Sequence, residues 1–260
     1  MALAGSAGGW YLVNASPDFA VQIHNFPDLH PRTHPARNTP IAGVLLTNSD
    51  LDHLLGVFSL REAGSMDIYA SAAVHSTAES SLGLETVLNS FGNSRWHEPP
   101  EEFMPLSRDS GATGLSYRAI ALPGKPPPFA KRAPAGVHSL AYQFQDPVTG
   151  GRLLVAPDVA EVTQELQEAL ESSQGVLLDG TFWSADELAG VRPNAPKAFE
   201  MGHVTIKDVS LALLAKLPAR QKIYIHINNT NPILAPGSPE RTAVETAGIA
   251  VGWDGLEFEL

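Results

Sequence analysis

The chain has 260 residues, of which 43% are apolar and 17% charged, and its 28 acidic side chains against 17 basic ones give a formal net charge of -11. That acidity repels phosphate backbones and anionic headgroups, so nucleic acid and the membrane surface are excluded as partners, while the apolar share suits a single globular domain over 1–260 rather than disorder. Nine histidines and no cysteine exclude disulfides and thiolate chemistry, and leave any metal site only nitrogen and oxygen ligands.

The first fifteen residues contain no Lys or Arg to form a secretory n-region, and no apolar run approaches the roughly 20 residues of a membrane span. A cytoplasmic protein is expected. Gly5-Ser6-Ala7-Gly8-Gly9 runs almost directly into a strand over Tyr11 to Asn14, a compressed opening that reads as an abbreviated N-terminus. The glycine run lacks the preceding strand that a phosphate cradle needs.

Ser16-Pro17-Asp18 places a capping hydroxyl, a first-turn proline and an acid before a helix over Phe19 to Phe26. After a His- and Pro-rich loop (27–40), the continuous apolar run Ile41 to Thr47 suits a strand buried on both faces. The polar cluster Asn48 to His53 follows, and Leu54, Leu55, Val57, Phe58 and Leu60 then take helical spacing. The cluster therefore sits at a strand C-terminus, where α/β sheets bind ligands.

Ile68 to Ala70 reads as a short strand, Leu82 to Phe91 as an amphipathic helix and Leu115 to Leu122 as a half-buried strand. Pro123-Gly124-Lys125-Pro126-Pro127-Pro128 is a stiff loop and a candidate lid. Val137 to Phe144 and Arg152 to Ala156 form a hairpin, Glu161 to Leu170 a helix, and Val176 to Leu178 a buried strand ending at Asp179. Ile206 to Leu217 is a helix capped by Thr205, Ile223 to Ile227 a late strand, and Pro239 to Ala247 a helix before a final hairpin turning at Trp253-Asp254-Gly255. This pattern looks like an α/β αββα sandwich, two mixed β-sheets with helices outside. A doubly wound sheet is the alternative.

Asp50, Asp52 and His53 crowd two carboxylates and an imidazole into one turn, a donor set that suits Fe, Mn or Zn. The alternative is a helix start with acids placed for the dipole. His226 follows an apolar strand and precedes the polar loop Asn228-Asn229-Thr230-Asn231, so it is either a ligand or a satisfied strand histidine. Asp179, at the end of a buried strand, must be paired or coordinated, because an isolated buried carboxylate is costly. His203 precedes a helix start and is a candidate acid or base. Asp158 is a further possible ligand or a helix cap. No Gly-x-Ser-x-Gly elbow, Walker loop or dinucleotide fingerprint is present.

Taken together, Asn14-Ala15-Ser16-Pro17-Asp18, Leu45-Leu46-Thr47 through Asp52-His53, Leu122-Pro123-Gly124-Lys125, Asp179-Gly180-Thr181-Phe182-Trp183, Met201-Gly202-His203 and the string Ile225-His226-Ile227-Asn228-Asn229-Thr230-Asn231-Pro232-Ile233-Leu234 resemble the coenzyme PQQ biosynthesis protein B family. The likeness covers nearly the whole chain. It implies a metallo-β-lactamase fold adapted away from hydrolysis, because Asn48 and Asp50 stand where the superfamily's hydrolases carry the first two histidines of His-x-His-x-Asp-His. It further implies a mononuclear site of Asp52, His53 and His226, the two-histidine, one-carboxylate set of Fe(II) oxygenases, with Zn as the alternative metal and Asp50 and Asp158 as additional ligands. Asp179 and His203 are then acid/base or supporting groups. Phe182, Trp183, Asn228 and Asn229 line the pocket for a tyrosine-containing PQQ precursor, whose ring the family is thought to hydroxylate. The structural zinc that family members bind through cysteines has no ligands here. A non-catalytic carrier of PQQ or its precursor and a residual zinc hydrolase remain as alternatives, with other PQQ-pathway proteins as further partners.

Overall fold

A computed structural model describes residues 1–34, 38–61, 64–108 and 111–260, and these divide into two compact units. The first comprises 1–119, 125–140 and 146–148, and the second 120–124, 141–145 and 149–260.

The first unit carries a five-stranded sheet in the order β1-β2-β3-β4-β5, made of Ala2–Ala4, Trp10–Val13, Ile41–Leu45, Ser65–Tyr69 and Asn93–His97. β1 pairs antiparallel with β2 and the remaining neighbours are parallel, so the sheet is mixed. The short residues 2–4 thus cover the edge of β2, where the sequence showed no strand. β3 is the continuous apolar run, with Val44 and Leu45 fully buried. The expected loop at 27–40 holds a 3-10 turn at Pro27–Leu29, and its residues 35–37 lie outside the described residues.

Helix α1 (Phe19–Asn25) starts at Phe19 as expected, but without the Ser16 cap. Its N-cap is Asp18, and the Ser16 hydroxyl donates to the Asp18 carboxylate (2.5 Å) instead of accepting from the helix. α2 (Leu51–Leu54) continues as a 3-10 turn, Leu55–Leu60. The helix expected over 82–91 is the shorter α4 (Leu84–Asn89), and an unexpected α3 (Ala72–Leu82) precedes it, with Gly83 at φ 65 between them. Leu12, Val44, Leu46, Leu54, Ile68, Val74 and Leu84 form this unit's core.

A second, seven-stranded sheet runs β12-β11-β10-β9-β8-β7-β6. β6 (Met104–Arg108) and β7 (Gly111–Leu122) pair antiparallel, as do β8 (Ser139–Gln145) and β9 (Arg152–Ala156), the expected hairpin. β10 (Gly175–Asp179), β11 (Gln221–Ile225) and β12 (Ala250–Val251) are parallel to one another and to β9. The final hairpin expected around Asp254 is therefore not formed, since β12 joins β11 in parallel and residues after 251 form no strand.

In the second unit α5 (Gln164–Glu171) is capped by the Thr163 hydroxyl, which accepts from Leu166 N (3.2 Å). It buries Leu166, Ala169 and Leu170 on one face, each buried leucine worth roughly 1.5–3 kcal/mol. Thr205 caps the next helix as expected, but its first turn, Ile206–Ser210, is a π turn before α6 (Leu211–Lys216). α7 (Pro239–Thr246) packs Val244 into a core with Leu154, Val176, Leu178, Ile206 and Tyr224. Among the described residues no helix is long and apolar enough to cross a membrane.

Candidate metal centre

Three parallel strands bring the second unit's polar strand ends together. Leu178 is level with Ala156 on one side and Tyr224 on the other, and Asp179 is level with Ile225. The residues that follow each strand, Asp158 after β9 and His226 after β11, emerge beside Asp179 at the carboxyl edge of the sheet. His203 reaches the same place from the loop before Thr205.

Asp158, His203 and His226 each offer one ligand atom within 4.8 Å of the others. Nε2 of His226 is 3.7 Å, and Nε2 of His203 3.9 Å, from the same oxygen of Asp158. The two imidazoles stack with centroids 5.6 Å apart, and both turn Nε2 toward the Asp158 carboxylate. One carboxylate and two imidazoles, with no thiolate, match the ligand chemistry of Fe(II), Mn(II) or Zn(II).

The groups behind these ligands settle how the rings are held. Asp179 is fully buried, and its Oδ2 accepts from His203 Nδ1 (2.8 Å) and Val159 N (2.9 Å). Its Oδ1 accepts from the backbone N–H (2.9 Å) and hydroxyl (2.6 Å) of Thr181. The Thr181 hydroxyl has a single proton, and with that proton on Asp179 its oxygen must accept from His226 Nδ1 (2.8 Å). Both histidines are thereby held with Nδ1–H inward and Nε2 outward, the tautomer that a metal ligand requires. Burial works against the charged form of His203, but its hydrogen bond to Asp179 and the charges of Asp179 and Asp158 outweigh that and raise its pKa above the ordinary 6.5.

His226 lies just past β11 at φ 54, an uncommon conformation for a non-glycine residue. Asn231 braces the loop that follows it, donating from Nδ2 to the carbonyl of Gly180 (2.8 Å) and accepting from Ile233 N (3.1 Å). Phe182 is buried with its ring edge-on to His203 (5.7 Å), and Trp183 packs half-buried against the core. Asn228 donates from Nδ2 to the Thr230 hydroxyl (2.9 Å), and the Thr230 hydroxyl donates to Glu187 (2.5 Å).

In the first unit Asp52 and His53 stand together on α2, Nε2 of the buried His53 lying 3.9 Å from the exposed Asp52 carboxylate. Asn14, at φ 58 after β2, accepts from Thr47 N (2.9 Å) and donates from Nδ2 to the Thr47 hydroxyl (2.8 Å). That orientation turns the second Nδ2 proton toward His53 Nδ1 (2.8 Å). His53 Nδ1 is an acceptor here, so the neutral ring carries its proton on Nε2, unlike His203 and His226. Asp50 is the N-cap position of α2 without a side-chain cap bond. The roles of Asn14, Thr47 and Thr181 were missed from the sequence; the only signal was their place in the motifs beside His53 and His226.

Comparison with known proteins places this geometry. A family model described as "Beta-lactamase superfamily domain" matches residues 9–227. Coenzyme PQQ synthesis protein B of Klebsiella pneumoniae is 36% identical over 257 residues, covering 96% of this chain and 82% of that protein. The protein of the same name from Bradyrhizobium diazoefficiens is 35% identical, covering 100% of this chain and 87% of its own length. Among solved structures, Zn(2+)-bound PqqB from Methylobacterium extorquens superposes with a TM-score of 0.87 at 29% identity, covering 100% of this chain and 86% of that one. A diphosphatase of the PhnP family shares the fold at a TM-score of 0.64 and 18% identity, covering 97% of this chain and 81% of that one.

Proposed function

Because the chain belongs to the coenzyme PQQ synthesis protein B family of the β-lactamase superfamily, we propose that this PQQ biosynthesis protein holds one Fe(II) and hydroxylates the tyrosine ring of a PQQ precursor with dioxygen. In the overall reaction one oxygen atom enters the ring and the other leaves as water, with two electrons and two protons from an external small-molecule reductant.

The observation that carries this reading is the convergence of Asp158, His203 and His226 within 4.8 Å, with both imidazoles held Nδ1–H inward. Asp158, His203 and His226 would hold the metal, and a redox-active ion there would supply the electron-transfer chemistry that dioxygen needs. The chain's own residues do the rest. Asp179 and Thr181 fix the two histidines, and Phe182 fixes the His203 ring from its edge. Glu187, whose pKa burial raises despite the N–H and O–H groups that donate to it, ties Trp183 to Thr230 and so holds together two of the segments assigned to the precursor. The family resemblance assigns the metal to Asp52, His53 and His226, whereas the donors described above add His203 and Asp158 to His226. Loading of His53→Ala beside His203→Ala distinguishes the two sets.

The test is anaerobic loading of the purified protein with Fe(II), followed by oxygen, a reductant and a tyrosine-containing PQQ precursor. About one iron per chain and a product heavier by one oxygen are expected. Tight binding of PQQ with no metal requirement would replace this reading with a carrier, and ester or lactam cleavage by the zinc-loaded protein would replace it with a hydrolase.

Metal uptake should also depend on pH. A proton on His203 Nε2 blocks its lone pair, and the pKa of this ring is raised. Apparent affinity should therefore fall by about tenfold per pH unit below that raised value and level off above it. Competition with a chelator across pH 6 to 9 reads this directly, and a flat profile would remove His203 from the ligand set.

A further inference from the structure

The first unit contains a cavity of about 590 Å³, none of whose lining residues belongs to the metal centre. Its volume is within the range of small-molecule sites, roughly 300–1,000 Å³. His97 lines it from the edge strand β5, and Met104, Pro100 and Pro105 give it apolar walls. Met104 is 54% exposed, a large apolar side chain left uncovered.

Strand register fixes the hydrogen-bonding group that stands beside those walls. Asp67 is level with Arg95, and Tyr69 with His97, across β4 and β5, so side chains two residues apart on each strand share one face. The buried Asp67 carboxylate accepts from Arg95 Nε and Nη2 (2.8 Å each) and from His97 Nε2 (2.7 Å). Burial works against its ionised form, but the hydrogen bonds from Arg95 and His97 outweigh that and hold its pKa below the ordinary 3.8. An ionised carboxylate can only accept, so the proton in the histidine contact sits on Nε2, and the neutral ring keeps its lone pair on Nδ1. Nδ1 meets no hydrogen-bond partner among the described residues. The ring is also stacked on Tyr69 with centroids 5.0 Å apart, yet the side chain stays 42% exposed. The cavity therefore presents an acceptor of fixed orientation next to an apolar surface. Among the charges of the lining, Asp67 and Arg95 cancel and Glu98 leaves one negative charge over, which disfavours an anionic ligand.

We propose that this cavity binds a small neutral aromatic compound carrying one O–H or N–H donor, which donates to His97 Nδ1 while its ring lies against Met104 and the two prolines. Apolar burial and the thioether–aromatic contact supply the affinity. The hydrogen bond selects the donor-bearing compound over its methyl ether. No metal takes part.

The experiment is calorimetric titration of the full chain, in excess chelator, with 2-naphthol, 2-methoxynaphthalene and 2-naphthoate. Saturable one-to-one binding of 2-naphthol is expected, with the methyl ether weaker by about threefold to tenfold and the acid weaker than the phenol. His97→Phe keeps an aromatic ring on Tyr69 and leaves Asp67 both Arg95 bonds, so it should fold; its affinities for 2-naphthol and the methyl ether should become equal. Met104→Ala changes an exposed side chain and should weaken both compounds by the same factor, about threefold to fivefold. The proposal is overturned if 2-naphthol does not saturate, if the methyl ether or the acid binds as tightly, if His97→Phe keeps the preference for 2-naphthol, or if Met104→Ala leaves both affinities unchanged.

Discussion

Asp179→Asn should lower the unfolding free energy by roughly 3–5 kcal/mol, the cost of breaking a fully buried, hydrogen-bonded charge. Both carboxylate oxygens accept two donors each, from Thr181 on one side and from Val159 and His203 on the other. An amide offers one oxygen, so in either orientation its NH2 group faces two N–H or O–H donors. The loss should depend on pH with a defined sign. The folded-state pKa of His203 is raised above 6.5, so the stability from its bond to Asp179 is fully present below that ordinary value and is lost as pH rises through the folded one. Urea denaturation of both proteins should show the widest gap near pH 6 and a narrower one near pH 9. A variant as stable as the wild type at pH 6 would show that the network is not holding the strand ends.

His226→Ala is expected to separate metal affinity from stability. Removing one of the two imidazoles should weaken binding by about 100-fold or more, beyond the 10–100-fold typical of losing a group that only orients a ligand. The apo fold should lose only about 0.5–1.5 kcal/mol, the worth of the His226 Nδ1–Thr181 hydrogen bond, because His226 lies beyond β11 at φ 54 and outside the apolar core. In His226→Gly part of that loss should be offset by relief of the left-handed conformation. Competition with a chelator gives the first quantity, and thermal unfolding in excess chelator gives the second. Unchanged affinity in His226→Ala would sink the centre, whatever the activity of the preparation.

Some of the fold was legible because local periodicity and tertiary role coincided. β3 and β10 are apolar runs largely buried on both faces, β11 buries Ile223 and Tyr224, and the Thr163 and Thr205 caps follow ordinary helix-start chemistry. β5 and β6 escaped notice because they are edge strands: Asn93–His97 and Met104–Arg108 have a partner on one side only and alternate poorly. α3 escaped for a different reason. Ala72–Leu82 is dominated by Ala, Ser and Thr, and its buried face of Ala73, Val74, Thr77 and Ala78 has little hydrophobic contrast with the exposed one. The last hairpin was misread because the turn at Asp254-Gly255 is real, while the strand before it found its partner in β11, far away in sequence.

The site divides in the same way. By itself the sequence determined the family, the polar strand ends at 47–53, 179–183 and 226–231, and a donor chemistry of nitrogen and oxygen alone. Only the tertiary structure decided that His203 and Asp158 stand with His226, that Thr181 sets the His226 tautomer, and that Asp67, Arg95, His97 and Tyr117 share a cavity. The reason is physical. Residue type and local pattern are carried by the chain itself, whereas which strand ends are neighbours is set by parallel register between segments tens of residues apart, and that register is fixed by burial of the whole sheet.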